Sequence, residues 1–163
     1  MIDPVATVIH AAPFDVSGER RRRTSTSVLL HRLERQLHAM LKAFRATGGL
    51  VSGDQLAYLV RSRTQQPIST VAHWIVGREI VNFEWKAQTL LPLFQFERSS
   101  MTLHPGIRQV VGELAGTYDN WEVAWWFACP NAGLGGAAPV DVVIKDAVAV
   151  LDCARADRFS AGT

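Results

Sequence analysis

Hydrophobic residues recur at helical spacing over residues 28–46, which form the longest amphipathic segment of the chain. The apolar positions are Leu29, Leu30, Leu33, Leu37, Met40, Leu41 and Phe44. Ser27 can cap the start of such a helix, and Gly48 with Gly49 can end it in a left-handed conformation. The pattern predicts a helix that packs against a core, and two copies of it could also pair as a dimer seam.

Two shorter helical patterns follow between residues 50 and 78. Ser52 can cap a helix that turns Leu56, Leu59 and Val60 inward, and Ser69 can cap a second helix over residues 70–76. A polar connector, residues 61–67, joins them. Two short helices with a polar turn between them fit a helix-turn-helix, although any pair of antiparallel helices gives a similar pattern.

A helix-turn-helix at this place would insert its second helix into the major groove of DNA. Val71 and Trp74 would fill the core beneath that helix, and His73 could alternatively be a packing residue. Side chains at the start of the second helix would meet base edges or phosphates, while cationic side chains around it would hold the DNA backbone. The predicted base-facing residues are Ser69, Thr70 and His73, and the predicted backbone contacts are Arg61, Arg63, Arg78 and Lys86.

The hydrophobic period changes to two over residues 79–96, which predicts a β-hairpin. Residues 79–85 form its first strand, residues 86–88 the turn and residues 89–91 the return, with Pro92 breaking the pairing before residues 93–96. No basic groove is interleaved with the aromatic residues here. They are therefore expected to cover the helices rather than to stack on bases.

The last third of the chain returns to helical spacing. Pro105 suits the first position of a helix, Asp119 or Asn120 can cap a tryptophan-rich helix that is apolar nearly all round, and a last helix runs from Ala147 to about Ala156. A glycine-rich turn, residues 129–139, and a short apolar segment, residues 140–144, lie between them. The predicted fold is mainly α, a helix-turn-helix with a short β-hairpin followed by a small C-terminal helical domain. We divide it into a flexible basic leader (1–26), a DNA-binding part (27–96) and a C-terminal domain (97–163).

Charge is distributed unevenly although the net charge is only +2. Residues 16–46 hold eight basic and two acidic residues, or +6, whereas residues 97–163 hold five basic and eight acidic residues, or −3. This asymmetry suggests two different partners, and the basic segment of residues 16–46 is compatible with binding phosphate groups. Arg20, Arg21, Arg22 and Arg23 are either a solvated charge run or an arm that gains affinity from phosphates without reading sequence.

Composition and motifs favour binding over catalysis. Apolar residues make up 48% of the chain and charged residues 20%, which is a globular composition. The absence of a long apolar run or a secretory signal and the spacing of the two cysteines predict a cytoplasmic protein without a disulfide framework or metal site. The five histidines are scattered, and no nucleophile elbow or phosphate-binding loop occurs. We therefore expect no enzyme activity, no cofactor and no metal.

The turn after the tryptophan-rich helix carries a specific spacing, P-N-x-x-L-x-G-x-x-P. Its residues are Pro130, Asn131, Leu134, Gly135, Gly136 and Pro139. This segment resembles the signature of the Xre/MbcA/ParS toxin-binding domain. Upstream, residues 49–57, Trp74 with Ile75, and the Pro-Leu-Phe-Gln-Phe run of residues 92–96 resemble the helix-turn-helix and linker of such antitoxins. The resemblance covers about residues 48–159.

The resemblance implies an antitoxin that neutralises a cognate toxin, commonly an NAD-consuming RES-type protein, and represses its own operon by binding operator DNA, here as a homodimer. In that family the C-terminal domain docks on the toxin. By position in the last helix, this implicates Asp152, Arg155, Asp157, Arg158 and Phe159. The connector is longer than the tightest turn of a helix-turn-helix, and Lys86 is the hairpin's only basic residue. A standalone DNA-binding regulator and a docking adaptor with a degenerate helix-turn-helix therefore remain as alternatives.

Overall fold

A computed structural model describes the backbone of residues 16–162 and the side chains of residues 26–162. Seven α-helices lie in this range: α1 Val16–Arg45, α2 Gly53–Val60, α3 Pro67–Val76, α4 Pro105–Leu114, α5 Asn120–Ala128, α6 Pro139–Val142 and α7 Ala147–Ala161. Three short strands accompany them: β1 Leu50–Ser52, β2 Phe83–Trp85 and β3 Gln88–Pro92. The prediction of a mainly α fold with a short β-hairpin is confirmed.

The contacts divide the chain into two units, Met1–Arg35 and Gln36–Thr163. In the first unit, α1 already begins at Val16, so the prediction of an irregular leader up to residue 26 is wrong from that point on. No proline follows Pro13 until residue 67, and Arg, Glu and Leu are good helix formers, so the helix extends further than its apolar stripe. Residues 1–15 of the predicted leader lie outside the described residues.

In the second unit, α1 ends at Arg45 and two glycines turn the chain into the sheet. Gly48 and Gly49 have φ angles of +115° and +78°, which a side chain would disfavour, and the amide of Gly49 donates to the carbonyl of Phe44 over 2.9 Å. The prediction that these glycines stop the helix is confirmed.

The sheet has the order β1–β3–β2, with both pairs antiparallel. The hairpin between β2 and β3 turns at Lys86 and Ala87, whose φ angles of +48° and +62° are those of a two-residue type I′ turn. The predicted first strand is shorter than expected, because pairing starts only at Phe83. The pairing ends at Pro92, before residues 93–96, as predicted. Pro92 itself still lies opposite Leu50 at the end of β3, where its missing N–H matters least.

Two hydrophobic clusters hold the second unit together. The smaller cluster lies around α2, α3 and the sheet and contains the buried residues Leu56, Ala57, Val60, Val71, Ile80, Leu91 and Phe96. The larger cluster joins the end of α1 and the sheet to the C-terminal helices. Within it Phe94 stacks on Phe44 at 5.5 Å between ring centroids and contacts Phe127 of α5 at 5.1 Å. The larger cluster therefore contains residues of both the predicted DNA-binding part and the predicted C-terminal domain.

Candidate nucleic-acid-binding and docking surfaces

The α2–α3 pair has the form that the sequence predicts, with one change in each helix: in α2 Leu59 is exposed rather than turned inward, and α3 begins earlier than expected. Ser52 caps α2 in a reciprocal capping box with Gln55, and Leu56, Ala57 and Val60 are buried. However, α3 begins at Pro67 rather than after Ser69, because proline has the backbone angle of a first helical residue. Ser69 therefore lies within the first turn of α3 and is not its cap.

The predicted base-facing residues do not all point outward. Ser69 and His73 are exposed, and His73 Nε2 lies 3.3 Å from Glu79 Oε1. Thr70 is half-buried, and its hydroxyl donates to the carbonyl of Gln66 over 2.9 Å and lies 3.2 Å from Thr64 Oγ1. The Thr70 hydroxyl thus holds the connector against α3, and the contact of Thr70 with DNA stays a prediction.

The outer face of α3 carries exposed apolar side chains beside Ser69 and His73, a feature that our sequence reasoning missed. Ile68 and Val76 are 72% and 84% exposed, and Ala72 lies between them at helical spacing. The helix contains no lysine or arginine. The i, i+4, i+8 spacing of Ile68, Ala72 and Val76 could have been noticed in the sequence, since it places the three residues on one side of α3.

The four side chains predicted to contact phosphates differ in their solvent exposure and in their hydrogen bonds within the protein. Arg61 lies over the ring of Tyr58, with Cζ 3.5 Å from its centroid, and donates to the Tyr58 carbonyl. Arg63 donates from Nε to the carbonyl of Ser100. Lys86 stands at the tip of the hairpin with Nζ 5.8 Å from the ring of Trp85. All three side chains are exposed, so their charges can reach an anion.

Arg78 has an internal role, and its predicted phosphate contact is corrected. Its Nε donates to Asn120 Oδ1 over 3.1 Å, Nη2 donates to the carbonyl of Tyr118 over 2.5 Å, and Nη1 donates to the carbonyl of Ala115. The planar guanidinium thus satisfies three acceptors around the α4–α5 turn. Asn120 in turn donates to Oδ1 of the buried Asn82 over 3.1 Å. This network ties the segment after α3 to the start of α5.

The turn over residues 130–139 is organised by Asn131. Its side-chain Oδ1 accepts from the Gly133 amide over 2.8 Å, and its carbonyl accepts from Leu134 and Gly136 over 3.1 and 2.9 Å. Gly135 and Gly136 have φ angles of +65° and +87°. Pro130 is exposed, Leu134 packs against the larger cluster, and Pro139 is buried as the first residue of α6. The prediction of a tight turn here is confirmed, and it packs closely on α7.

Asp157 connects this turn to α7 and α5, which corrects its predicted place on the toxin-binding surface. Its Oδ2 accepts from Trp126 Nε1 over 2.7 Å and from Asn131 Nδ2 over 3.1 Å. The Tyr118 hydroxyl donates to the Asp157 carbonyl over 3.3 Å. Burial, followed by the charges of Asp157 and Glu122, raises the pKa of Tyr118 above its ordinary 10.0.

The remaining predicted docking residues lie on the outer side of α7. Arg155 Nε and Arg158 Nη1 lie 3.7 and 2.7 Å from the carboxylate of Glu113 in α4, and Arg155 Nη1 also lies 3.3 Å from Asp152 Oδ1. Glu113 was not among our sequence predictions, because nothing along the chain indicates that α4 packs against α7. The arginines and Asp152 are more than half exposed.

Apolar side chains accompany these charges on α7. Phe159 is 76% exposed, and Val148 and Ile144 are also largely exposed. We call the surface formed by Val148, Asp152, Arg155 and Phe159, whose spacing places them on one side of α7, the α7 face. It combines an aromatic side chain, an aliphatic side chain and paired charges, which is the composition of protein-binding surfaces.

The described residues offer little basis for nucleophilic or metal chemistry. Burial raises the pKa of the Cys129 thiol, and burial, Asp157 and Asp152 raise that of Cys153, so both thiols are protonated at neutral pH. Among residues 26–162, whose side chains are described, no three His, Cys, Asp or Glu side chains lie close enough together to hold a metal ion. No helix within residues 16–162 has both the length and the apolarity needed to cross a membrane.

Comparison with known proteins returned no match for this chain, whether with family models, curated proteins or solved structures.

Proposed function

We propose that this protein is an antitoxin-like regulator, which binds a cognate toxin through the α7 face and operator DNA through the α2–α3 pair. The observation that carries the proposal is the α7 face itself. Phe159 is 76% exposed beside Arg155, on a helix that Asp157 anchors to both Trp126 and Asn131. Aromatic and arginine side chains commonly dominate interface energies, and an aromatic side chain with two rotatable bonds loses little conformational freedom on binding.

The resemblance of the turn over residues 130–139 to the toxin-binding signature supports the toxin as the partner, with the RES type as the first candidate. The hydrogen bonds of Asn131 support a docking role for this segment. Asn131 binds the turn with Oδ1 and the α7 carboxylate of Asp157 with Nδ2. A side chain that bridges the turn and the helix keeps the outer side of α7 in a fixed orientation.

DNA binding is the second part of the proposal. The exposed cations that remain for it are Arg61, Arg63 and Lys86, with Ser69 and His73 on the outer side of α3. These three cations can neutralise phosphates, whereas Arg78 is used internally. We therefore expect a modest affinity that depends on salt, with a log–log slope that reflects about two or three phosphate contacts.

A docking adaptor with a degenerate helix-turn-helix is the second candidate. It is favoured by the outer face of α3, where Ile68 and Val76 are largely exposed and no basic residue is present. Exposed apolar residues at these positions suit a protein surface better than a phosphate backbone. A standalone DNA-binding regulator is the third candidate and would need no toxin.

The docking part is tested by co-purifying the full chain with the product of the adjacent gene and measuring whether its toxicity is suppressed. Phe159→Ser and Val148→Ser together should weaken capture at least tenfold. Val76→Ser, which removes an equally exposed apolar side chain from α3, should leave capture unchanged. Equal loss in both variants, or no loss in either, would contradict the assignment of the α7 face.

DNA binding is tested with two variants that lose the same charge. Arg61→Gln with Arg63→Gln should weaken binding to a duplex of about 30 base pairs and lower the salt slope by about two. Arg155→Gln with Arg158→Gln should leave DNA binding unchanged. If the wild-type protein shows no salt-dependent binding to any duplex, the DNA-binding part of the proposal is wrong, and the docking adaptor with a degenerate helix-turn-helix replaces it.

A further inference from the structure

A cleft lies between the end of α2, the connector, α3 and the loop over residues 97–104, and we call it the α2–α3 cleft. It has a volume of about 300 Å³. Its polar side chains are Arg63 and three threonines, and its apolar wall consists of Val60, Trp74, Met101 and Leu103. Ligand sites in proteins are clefts of about 300–1,000 Å³ with mostly apolar walls and a few polar groups. The α2–α3 cleft has that composition at the smallest of these sizes, so it suits a small molecule.

We infer that the α2–α3 cleft binds a small aromatic monocarboxylate, with its carboxylate on Arg63 and its ring against Trp74 and Met101. The inference goes beyond the proposed function, since binding of such a ligand needs neither toxin nor DNA. It depends on three features of the cleft: its charge, its apolar wall and the backbone conformation of Met101.

Arg63 determines the charge of the ligand. Among the described residues that line the cleft it is the only charged one, so a ligand with a single negative charge matches it. Its Nε donates to the carbonyl of Ser100, which holds the guanidinium in place. No residue within 26–162 accepts from Nη1 or Nη2 of Arg63. Two such N–H groups in one plane form the fork that binds both oxygens of a carboxylate.

Thr102 supplies a further donor to the same cleft. Its Oγ1 lies 2.6 Å from Oγ of Ser100, the residue whose carbonyl accepts from Arg63. A hydroxyl has one hydrogen and two lone pairs, so Thr102 can accept from Ser100 and keep its own O–H for a ligand. The short loop that contains Ser100 and Thr102 therefore positions both the guanidinium and a hydroxyl donor at the cleft.

The apolar wall favours an aromatic ring as the body of the ligand. Trp74 offers ring surface and Met101 a polarisable thioether, and both groups contact aromatic rings favourably. Trp74 is itself held against Phe96, with 5.8 Å between the ring centroids. The volume of the cleft equals that of about ten water molecules at about 30 Å³ each, so one ring with a carboxylate, about nine non-hydrogen atoms, fits it.

The backbone of Met101 is a separate sign of a ligand site. Its φ of +49° is a left-handed conformation that long side chains rarely adopt. Two backbone hydrogen bonds hold it there: the Met101 amide donates to the carbonyl of Glu97 over 2.7 Å, and the Glu97 amide donates to the carbonyl of Thr102 over 2.8 Å. Residues held in such conformations cluster at ligand-binding sites. This strain is independent of the charge of Arg63, so two different features indicate a ligand at the same cleft.

Nuclear magnetic resonance of the full chain with carbon-13 in its methionine methyl groups tests the inference, because the chain has only three methionines. Met101 lines the cleft, whereas Met40 is fully buried in the larger cluster and serves as an internal control. Benzoate is the probe, and Met101→Leu assigns the Met101 signal. A ligand of about nine non-hydrogen atoms in an open cleft should bind with a dissociation constant of about 0.1–1 mM. Benzoate added at constant ionic strength should therefore shift the Met101 signal saturably between about 0.05 and 5 mM and leave the Met40 signal in place.

A neutral ligand and two variants isolate the role of the carboxylate. Benzamide has the shape of benzoate without its charge and should bind at least about tenfold more weakly, because hydrogen bonds between two charged groups are the stronger ones. Arg63→Gln should weaken benzoate binding to the level of benzamide. Arg61→Gln removes the same charge from a side chain that lies over Tyr58, two residues away, and should leave benzoate binding unchanged.

The inference is overturned if benzoate causes no saturable shift of the Met101 signal in the wild type. Equal affinities for benzoate and benzamide, or equal weakening by the Arg61 and Arg63 variants, would contradict recognition of a carboxylate by Arg63. Equal shifts of the Met40 and Met101 signals would show binding that is not confined to the cleft, and would count against it as well.

Discussion

Replacing Asp157 by alanine should destabilise the protein by removing the acceptor that joins α7 to α5 and to the turn over residues 130–139. Oδ2 of Asp157 accepts from Trp126 Nε1 at 2.7 Å and from Asn131 Nδ2 at 3.1 Å. Hydrogen bonds to a charged group contribute about 1.5–3 kcal/mol each when buried. All three residues are half-buried, so water can partly replace the lost acceptor, and we expect a total loss of about 3 kcal/mol.

Asp157→Asn is the matched control, because it keeps the shape and an acceptor oxygen while removing the charge. We expect it to cost about 1 kcal/mol, the difference between a charged and a neutral acceptor. Alanine has the higher helix propensity, so a larger loss in Asp157→Ala could not be attributed to the helix itself.

Urea unfolding followed by tryptophan fluorescence measures both losses, provided that the m-value is unchanged. The alanine variant should melt about 6–12 °C lower than wild type, given the scaling for a chain of this size. Its Trp126 indole N–H resonance, assigned with Trp126→Phe, should also move as the hydrogen bond is lost. A loss below about 0.5 kcal/mol, or equal losses in the alanine and asparagine variants, would show that Asp157 does not join α7 to α5 and the turn in this way.

Three further predictions follow from close contacts in the same unit. A Cβ on Gly133 would lie 2.7 Å from Cys153 Sγ, so Gly133→Ala should lower the free energy of unfolding in urea by about 1–3 kcal/mol. Adding Cys153→Ala should restore most of that loss, and additive losses in the double variant would contradict the clash. Arg78→Ala should lower the free energy of unfolding by about 2–3 kcal/mol, and Arg78→Lys should recover little of this loss, because an ammonium group cannot reach three acceptors in one plane. If Arg78→Ala were as stable as wild type, the three hydrogen bonds of Arg78 would have no structural role. The pKa of Tyr118 is raised in the folded state, so the protonated hydroxyl contributes fully to the free energy of unfolding below pH 10.0, and this contribution is lost as the pH rises through the folded pKa. Tyr118→Phe should therefore show a shallower fall in the free energy of unfolding above pH 10.0 than wild type, and an identical slope in both proteins would contradict the raised pKa.

Helix positions could be predicted from the sequence because their signals are local. Asp119 caps α5 in a reciprocal box with Glu122, and Pro105 opens α4, both within a few residues of the apolar pattern that they precede. The turn at Asn131 was equally accessible, since its hydrogen bonds close within seven residues. Each of these features depends on contacts between near neighbours, which spacing along the chain records directly.

The partners of polar side chains could not be predicted, because they come from other elements. From the sequence we assigned Arg78 to a DNA-binding surface and Asp157 to a toxin-binding surface. In the structure Arg78 donates to the carbonyl groups of Ala115 and Tyr118, and Asp157 accepts from Trp126. Strand β1 was missed for a related reason. Three residues, Leu50–Ser52, are too few to show a period, and only pairing with β3 makes them a strand.

The internal place of Arg78 also changes how the two surfaces can be separated by mutation. Arg78 reaches Asn120 at the start of α5, and Asn120 donates to Asn82 just before β2. The segment that follows α3 is thus bonded to the helices that support the α7 face. A variant at Arg78 that lost DNA binding would also disturb this support, so its phenotype would not identify a phosphate contact. Arg61 and Arg63 donate only to nearby carbonyl groups of the helix pair and the adjoining loop, so they are the positions at which the DNA-binding proposal can be tested without altering the core.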